Sequence, residues 1–230
     1  MDFAPGVTAK LKRPTGAGIG DETYFRTFYG SRTPGWYAWL LAEVIRHGRP
    51  GNVLDLGCGL GLFVELANQW GISAKGIDAS EAAMRIALAR SPHLDLCQCD
   101  LTQPLPFAEQ SFANIVMHQV IAHLPPGVIK KVLTECYRVL LPGGLLFVYS
   151  PAKSNRPVLE RDPTHRSPLH PSELRAELES AGFVVISEPN SARFSPRYRV
   201  LAKCATRLMR TRLRDWIAGT ANAYARRPLQ

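Results

Sequence analysis

The residues best suited to chemistry in this sequence are an aspartate and three glycines set two apart. The segment Val53-Leu54-Asp55-Leu56-Gly57-Cys58-Gly59-Leu60-Gly61 opens as an apolar run, reaches Asp55, and places glycine at 57, 59 and 61. Such a turn brings backbone N–H groups to a helix N-terminus, where a polar ligand can approach without meeting Cβ atoms. That is a nucleotide-type site. A dinucleotide loop of the form G-x-G-x-x-G would need glycine at 62 or 64, and those positions are Leu62 and Val64, so the spacing argues against a dinucleotide. The acidic start suits instead a ligand whose end carries an ammonium group, which a pyrophosphate site would not want nearby.

Three further positions extend this reading. Asp78 closes a second apolar run in Gly76-Ile77-Asp78-Ala79-Ser80, where a carboxylate can accept hydrogen bonds from both ribose hydroxyls. Capping of the next helix is the alternative role for Asp78, but Ser80 can fill it. His118 ends a third run, at the sheet edge where open α/β proteins bind ligands, and His165 sits in Asp162-Pro163-Thr164-His165. Imidazole titrates near neutrality, so either histidine can serve as general base or substrate contact; a hydrogen-bonded loop anchor is the plainer role for each. His123 reads as structural, tying a helix start. No metal site is expected: Cys97 and Cys99 have neither a second pair nor a nearby histidine, and the five scattered cysteines are not a disulfide framework.

The elements that must position these residues alternate between short apolar runs and helix-patterned stretches, the sign of a parallel sheet covered on both faces. Strands are expected at 52–56, 74–78, 95–99, 112–118, 145–150 and 183–187. The clearest helix is 127–140, where Ile129, Val132, Leu133, Cys136, Val139 and Leu140 recur at helical spacing before Pro142-Gly143-Gly144 stops it. A second spans 172–181, a third 36–47, and residues 24–29 read as a lid turn behind a mobile segment 1–22 rich in Gly, Pro and Thr. Residues 220–226 are a weak candidate for a last edge strand because of their alanine content.

The D-x-G-x-G-x-G form resembles the first motif of class I S-adenosylmethionine-dependent methyltransferases, and the resemblance runs from about Tyr24 to Arg226. It implies a Rossmann-like, mostly parallel seven-stranded sheet with helices on both faces and a helical insertion before the last strand. It assigns Asp55 and the backbone of Gly57, Cys58, Gly59 and Gly61 to the methionine end of S-adenosylmethionine, Asp78 and Ala79 to the ribose, Asp100 and Leu101 to the adenine, and His118 to the cofactor wall. Pro104-Leu105-Pro106-Phe107, His123-Leu124 and Arg138 to Gly144 add to it. The family usually has an acid after the phenylalanine at 112 and often a glutamate before the histidine at 123, where this chain has Ala113 and Ala122. The family's nucleic-acid amino-methyltransferases carry D/N-P-P-Y near the fourth strand; this chain reads His118-Gln119-Val120-Ile121. Asp162 to His165 resembles a substrate-side loop of small-molecule O-methyltransferases. The implied reaction is methyl transfer to a small-molecule hydroxyl, with S-adenosylhomocysteine as product. An RNA methyltransferase and a non-catalytic S-adenosylmethionine-binding partner subunit are the alternatives.

At 230 residues and 46% hydrophobic content the chain fits one domain. No apolar run is long enough for a membrane span and Met1 to Arg13 lacks a signal-peptide core, so a cytoplasmic protein is expected. The net charge of +9 is confined to residues 191–230, which hold 10 Lys/Arg against 1 Asp/Glu, while residues 1–190 hold 18 of each. Within that tail Arg199, Lys203, Arg207, Arg210 and Arg214 form one stripe of an expected amphipathic helix at 196–217. Packing of its apolar side on the domain is the ordinary role. Recognition of an anionic acceptor or peripheral contact with a membrane surface are the functional ones. The tail lacks the interleaved aromatics of a nucleic-acid surface, which disfavours nucleic acid as a partner. Oligomeric state is not encoded in any of these features.

Overall fold

A computed structural model describes residues 21–187 and 220–229. Seven strands form one sheet: β1 Val53–Leu56, β2 Ala74–Asp78, β3 Leu96–Gln98, β4 Phe112–His118, β5 Leu140–Pro151, β6 Val184–Ser187 and β7 Thr220–Arg226, in the order β3-β2-β1-β4-β5-β7-β6. The first five pair in parallel, and β7 runs antiparallel to both β5 and β6. The Rossmann-like sheet expected from the sequence is present. The basic segment 196–217, expected to be helical, lies outside the described residues.

Two apolar layers cover the sheet. On one face Phe63, Leu41, Val116 and Phe147 join the helices α1 Glu22–Tyr29, α2 Ala38–His47, α3 Leu62–Gln69 and α4 Glu81–Arg90. On the other, Ile115, Leu133, Cys136 and Leu178 join α5 Ile129–Val139 and α7 Pro171–Ser180, while the short α6 Arg156–Arg161 buries nothing. The strands of β1 and β4 are buried almost throughout, as central parallel strands must be.

Helix starts follow local chemistry. Residues 24–29 belong to a helix rather than a turn, because Asp21 Oδ1 accepts the Tyr24 N–H at 2.7 Å and caps it. The expected helix 36–47 is a 3-10 turn, Pro34–Tyr37, leading into α2. Ser80 Oγ caps α4 by accepting from Ala83 N at 3.0 Å, the role assigned to it from sequence.

The start of β5 differs from expectation. Strand structure begins at Leu140, directly after α5, rather than at 145. Leu140 pairs with Phe112 and Leu145 with Asn114, so the residues between them bulge out of register. Gly143, at a φ of 77°, supplies the backbone turn for this bulge, and the Pro-Gly-Gly sequence is absorbed into the strand instead of separating it from the helix. Asn114, 1% exposed, holds the chain before β1 from the next strand: its side chain accepts from Arg49 N at 2.9 Å and donates to Arg49 O at 2.7 Å.

Candidate functional site

The carboxyl ends of β1, β2 and β4 open onto one cavity of about 390 Å³. Its floor is the turn after β1. Gly57 and Cys58 N–H groups both donate to Ile77 O, at 2.8 and 3.0 Å, which ties this turn to β2. Gly57, Gly59 and Gly61 adopt φ of 71°, 52° and 67°, in the left-handed region that glycine enters without strain. At Gly57 there is a second constraint, since a Cβ would lie 2.4 Å from Val120 Cγ2. Gly61 then starts α3.

Asp55 and Asp78 face this cavity together. Asp78 joins the two loops: Oδ2 accepts from Gly59 N and Oδ1 from Ser80 N, each at 2.9 Å. Each oxygen keeps a lone pair for a ligand hydroxyl. Burial pushes the Asp78 carboxyl above its ordinary range, an effect opposed by these backbone N–H donors. Asp55 is 5% exposed and accepts no hydrogen bond among the described residues. Burial first, and the Asp78 charge second, hold its carboxyl well above the usual carboxylate range. A buried carboxylate without a donor is an unmet demand for a cation, such as the ammonium group of a ligand.

The structure brings Cys58, Ala79, Asp100 and Leu101 to the same cavity. Asp100 Oδ1 accepts from Thr102 N at 2.9 Å, which fixes its loop and leaves Oδ2 for a ligand amine. Gly61 does not line the cavity; it sets the direction of α3.

His118 lines the far wall, in edge-on contact with Trp36, Tyr37 and Trp39, each ring centroid 5.7 Å away. Arg32 stands over the Tyr29 and Trp36 rings at 4.2 Å from each. Burial, and then the Arg32 charge, lower the His118 imidazole to about 3, so it is neutral at physiological pH. His165 is not on the cavity wall. It stacks on His123, centroids 4.5 Å apart, and it is His123 that lines the cavity. By its sequence position His123 reads as a helix anchor; only the fold shows that it faces the cavity. At Ala113 the missing acid has a steric reason, because this side chain is 1% exposed and a Cβ on Gly51 would already stand 2.7 Å from its own.

A family model described as a methyltransferase domain matches residues 53–144. A probable S-adenosylmethionine-dependent methyltransferase of Mycolicibacterium smegmatis is 34% identical over 137 residues, 58% of this chain and 52% of that protein. A ubiquinone biosynthesis O-methyltransferase of Pseudomonas aeruginosa is 31% identical over 101 residues, 42% of this chain and 43% of that protein. The chain therefore spans about half the length of these curated relatives. The crystal structure of a SAM dependent methyltransferase from Archaeoglobus fulgidus superposes with a TM-score of 0.63 at 22% identity, covering 89% of this chain and 96% of that one, and shares its fold. With the acid-and-glycine turn, the Asp78 bridge and the seven-stranded topology in place, the chain carries a methyltransferase domain match over residues 53–144 and is similar in fold to S-adenosylmethionine-dependent methyltransferases.

Proposed function

We propose that this chain transfers a methyl group from S-adenosylmethionine to a hydroxyl oxygen of a small-molecule acceptor. The observation that carries the reading is the neutral His118 at the cavity wall, boxed by Trp36, Tyr37 and Trp39. Asp55, the turn from Gly57 to Gly61, Asp78 and Asp100 would hold the cofactor. When bound, it supplies an electrophilic sulfonium methyl group.

The work left to the protein is chiefly positioning, since in-line displacement gains most from holding two reactants together. His118 can accept a hydrogen bond from the acceptor hydroxyl and so aim its remaining lone pair. An imidazole with a value of about 3 is a poor store for a proton near neutrality. Attack by a neutral hydroxyl yields a protonated ether acidic enough to lose its proton to water, so a weak acceptor suffices. The aromatic side chains that line the cavity, Tyr24, Phe25, Tyr29 and Tyr37, favour a flat or apolar acceptor body. Arg32 adds a cation beside it, which supports an acceptor bearing a negative charge.

Calorimetry with S-adenosylmethionine and S-adenosylhomocysteine, followed by a screen of hydroxylated small molecules that includes anionic ones, tests the reading. Binding of both nucleosides and formation of S-adenosylhomocysteine with a small acceptor are expected. Failure to bind either nucleoside would overturn it. Turnover with RNA alone would favour the basic tail as the acceptor-binding element, and binding without turnover would favour a partner subunit.

A further inference from the structure

Beside the cavity, two loops distant in sequence are fastened together. Arg166 and Ser167 N–H groups both donate to Ala122 O, at 2.7 and 2.9 Å, so the segment carrying Asp162, Thr164 and His165 lies against the 3-10 turn Ile121–His123. One potential ligand atom from each of His123, Asp162 and His165 then falls within 4.8 Å of the other two. The imidazole rings stack with 20° between their planes.

The hydrogen-bond network assigns the tautomers. A backbone carbonyl can only accept, so His165 Nδ1–H donates to Asp162 O at 2.9 Å and Nε2 carries the lone pair. The Thr164 hydroxyl has a single proton, and the charged Asp162 Oδ1 that it contacts is the stronger acceptor. The Thr164 oxygen must then accept from His123 Nδ1–H, 3.0 Å away, which leaves the lone pair of His123 also on Nε2. Asp162 Oδ1 accepts in addition from Thr164 N at 3.0 Å and Oδ2 from Tyr24 Oη at 3.1 Å, so a lone pair remains on Oδ2. Each ring is oriented by a hydrogen bond at Nδ1, and each of the three residues offers one potential ligand atom to the shared volume. That is how ligating histidines are held in metal sites.

We infer that His123, Asp162 and His165 bind a divalent transition-metal ion of the zinc type. Two imidazoles and one carboxylate form a three-ligand set for such an ion and leave a fourth position open. Tetrahedral bonds of about 2 Å place ligand atoms about 3.3 Å apart, so the set closes by up to about 1.5 Å when the ion enters. His123 also lines the cavity that His118 lines, so the three-residue cluster adjoins the proposed acceptor space. Metal binding stands on these three residues alone. A role for the ion in holding an anionic oxygen of the acceptor rests in addition on the function proposed above.

The test uses untagged full-length protein stripped of metal by a chelator. Titration with Zn2+ is expected to show one ion per chain, and Co2+ to give a visible absorption band of low-coordinate geometry. H165Q and D162N are each expected to weaken Zn2+ binding at least about 100-fold and to abolish the cobalt band. Thermal melting and an S-adenosylmethionine titration of each variant verify that it is folded. Histidine 15N NMR of the wild-type chain needs no variant: Zn2+ should shift the Nε2 resonances of two histidines together. Absence of stoichiometric Zn2+ and Co2+ binding by the wild-type chain, or wild-type affinity in H165Q, overturns the inference. A chain that binds Zn2+ but neither nucleoside would overturn the methyltransferase reading and leave the metal site standing; the converse result removes the metal site alone.

Discussion

Replacing Asp55 by asparagine should stabilise the ligand-free chain and weaken its hold on S-adenosylmethionine. Asp55 is buried, accepts no hydrogen bond among the described residues, and stands beside Asp78. Burial raises its affinity for a proton in the folded state. Between the ordinary carboxylate range and that raised value the folded chain therefore binds more protons than the unfolded one, and stability falls as pH rises through the interval. Asparagine keeps the shape and removes the charge. A gain of about 1 to 2 kcal/mol at pH 7 is expected from relieving the unpaired charge, which for a chain of this size is about 2 to 4 °C in Tm per kcal/mol. The advantage over wild type should shrink as the pH is lowered toward the ordinary carboxylate range, because Asp55 takes up its proton above that range. Loss of a charge-assisted contact to the ligand ammonium, about 1.5 to 3 kcal/mol, should lower cofactor affinity about 10- to 150-fold. Differential scanning fluorimetry across pH and calorimetry at pH 7 read the two effects. A lower Tm for D55N at neutral pH, or unchanged cofactor affinity, would refute the assignment of Asp55 as an electrostatic socket.

The remaining predictions concern geometry and protonation. Gly57→Ala combines a left-handed φ, at about 1 to 2 kcal/mol, with a Cβ 2.4 Å from Val120 Cγ2, and should reduce cofactor affinity at least about tenfold. The double variant with Val120→Ala should recover part of the loss by calorimetry; no recovery would show that the clash is not its cause. Because His118 stays neutral down to about pH 3, a plot of kcat against pH from 5 to 8 should show no inflection from this residue. H118Q, which retains an acceptor, should lose less activity than H118A, whereas an inflection near neutrality that vanishes in H118Q would make His118 a proton carrier. Asn114→Ala removes two part-buried bonds to Arg49 and should cost about 1 to 3 kcal/mol, measured by chemical denaturation.

How far the sequence reveals the site depends on whether neighbours in space are neighbours along the chain. Asp55, Asp78 and His118 each end an apolar run, so strand periodicity alone brings them to one sheet edge. The pairing of His123 with Asp162 and His165 has no such trace: about forty residues separate the loops, and contacts formed in the fold, the bonds from Arg166 and Ser167 to Ala122 among them, unite them. The start of β5 was obscured because Pro142-Gly143-Gly144 breaks helix and strand patterns alike, and a bulge is invisible without its partner strand. The helix α6 has no buried face and hence no periodicity to detect. For β7 the alanines that weaken strand propensity are what the fold requires, since Ala221, Ala223 and Ala225 are all but fully buried and let the layer holding Leu174 and Leu178 of α7 come close.

The position of β7 also sets an order of assembly. Strands β1 to β5 can pair as they follow one another, but among the described residues β6 joins the sheet only through β7, which follows it in sequence. Until β7 docks on β5, the strand of Val184–Ser187 has no backbone partner among the described residues and the apolar face of α7 lacks part of its floor. Closing this edge requires a long-range contact whose entropic cost precedes its reward, which places it late in folding. Hydrogen exchange should accordingly protect β4 before β6 as the chain refolds, making the β6 edge a folding unit of its own rather than a part of the cofactor-binding half.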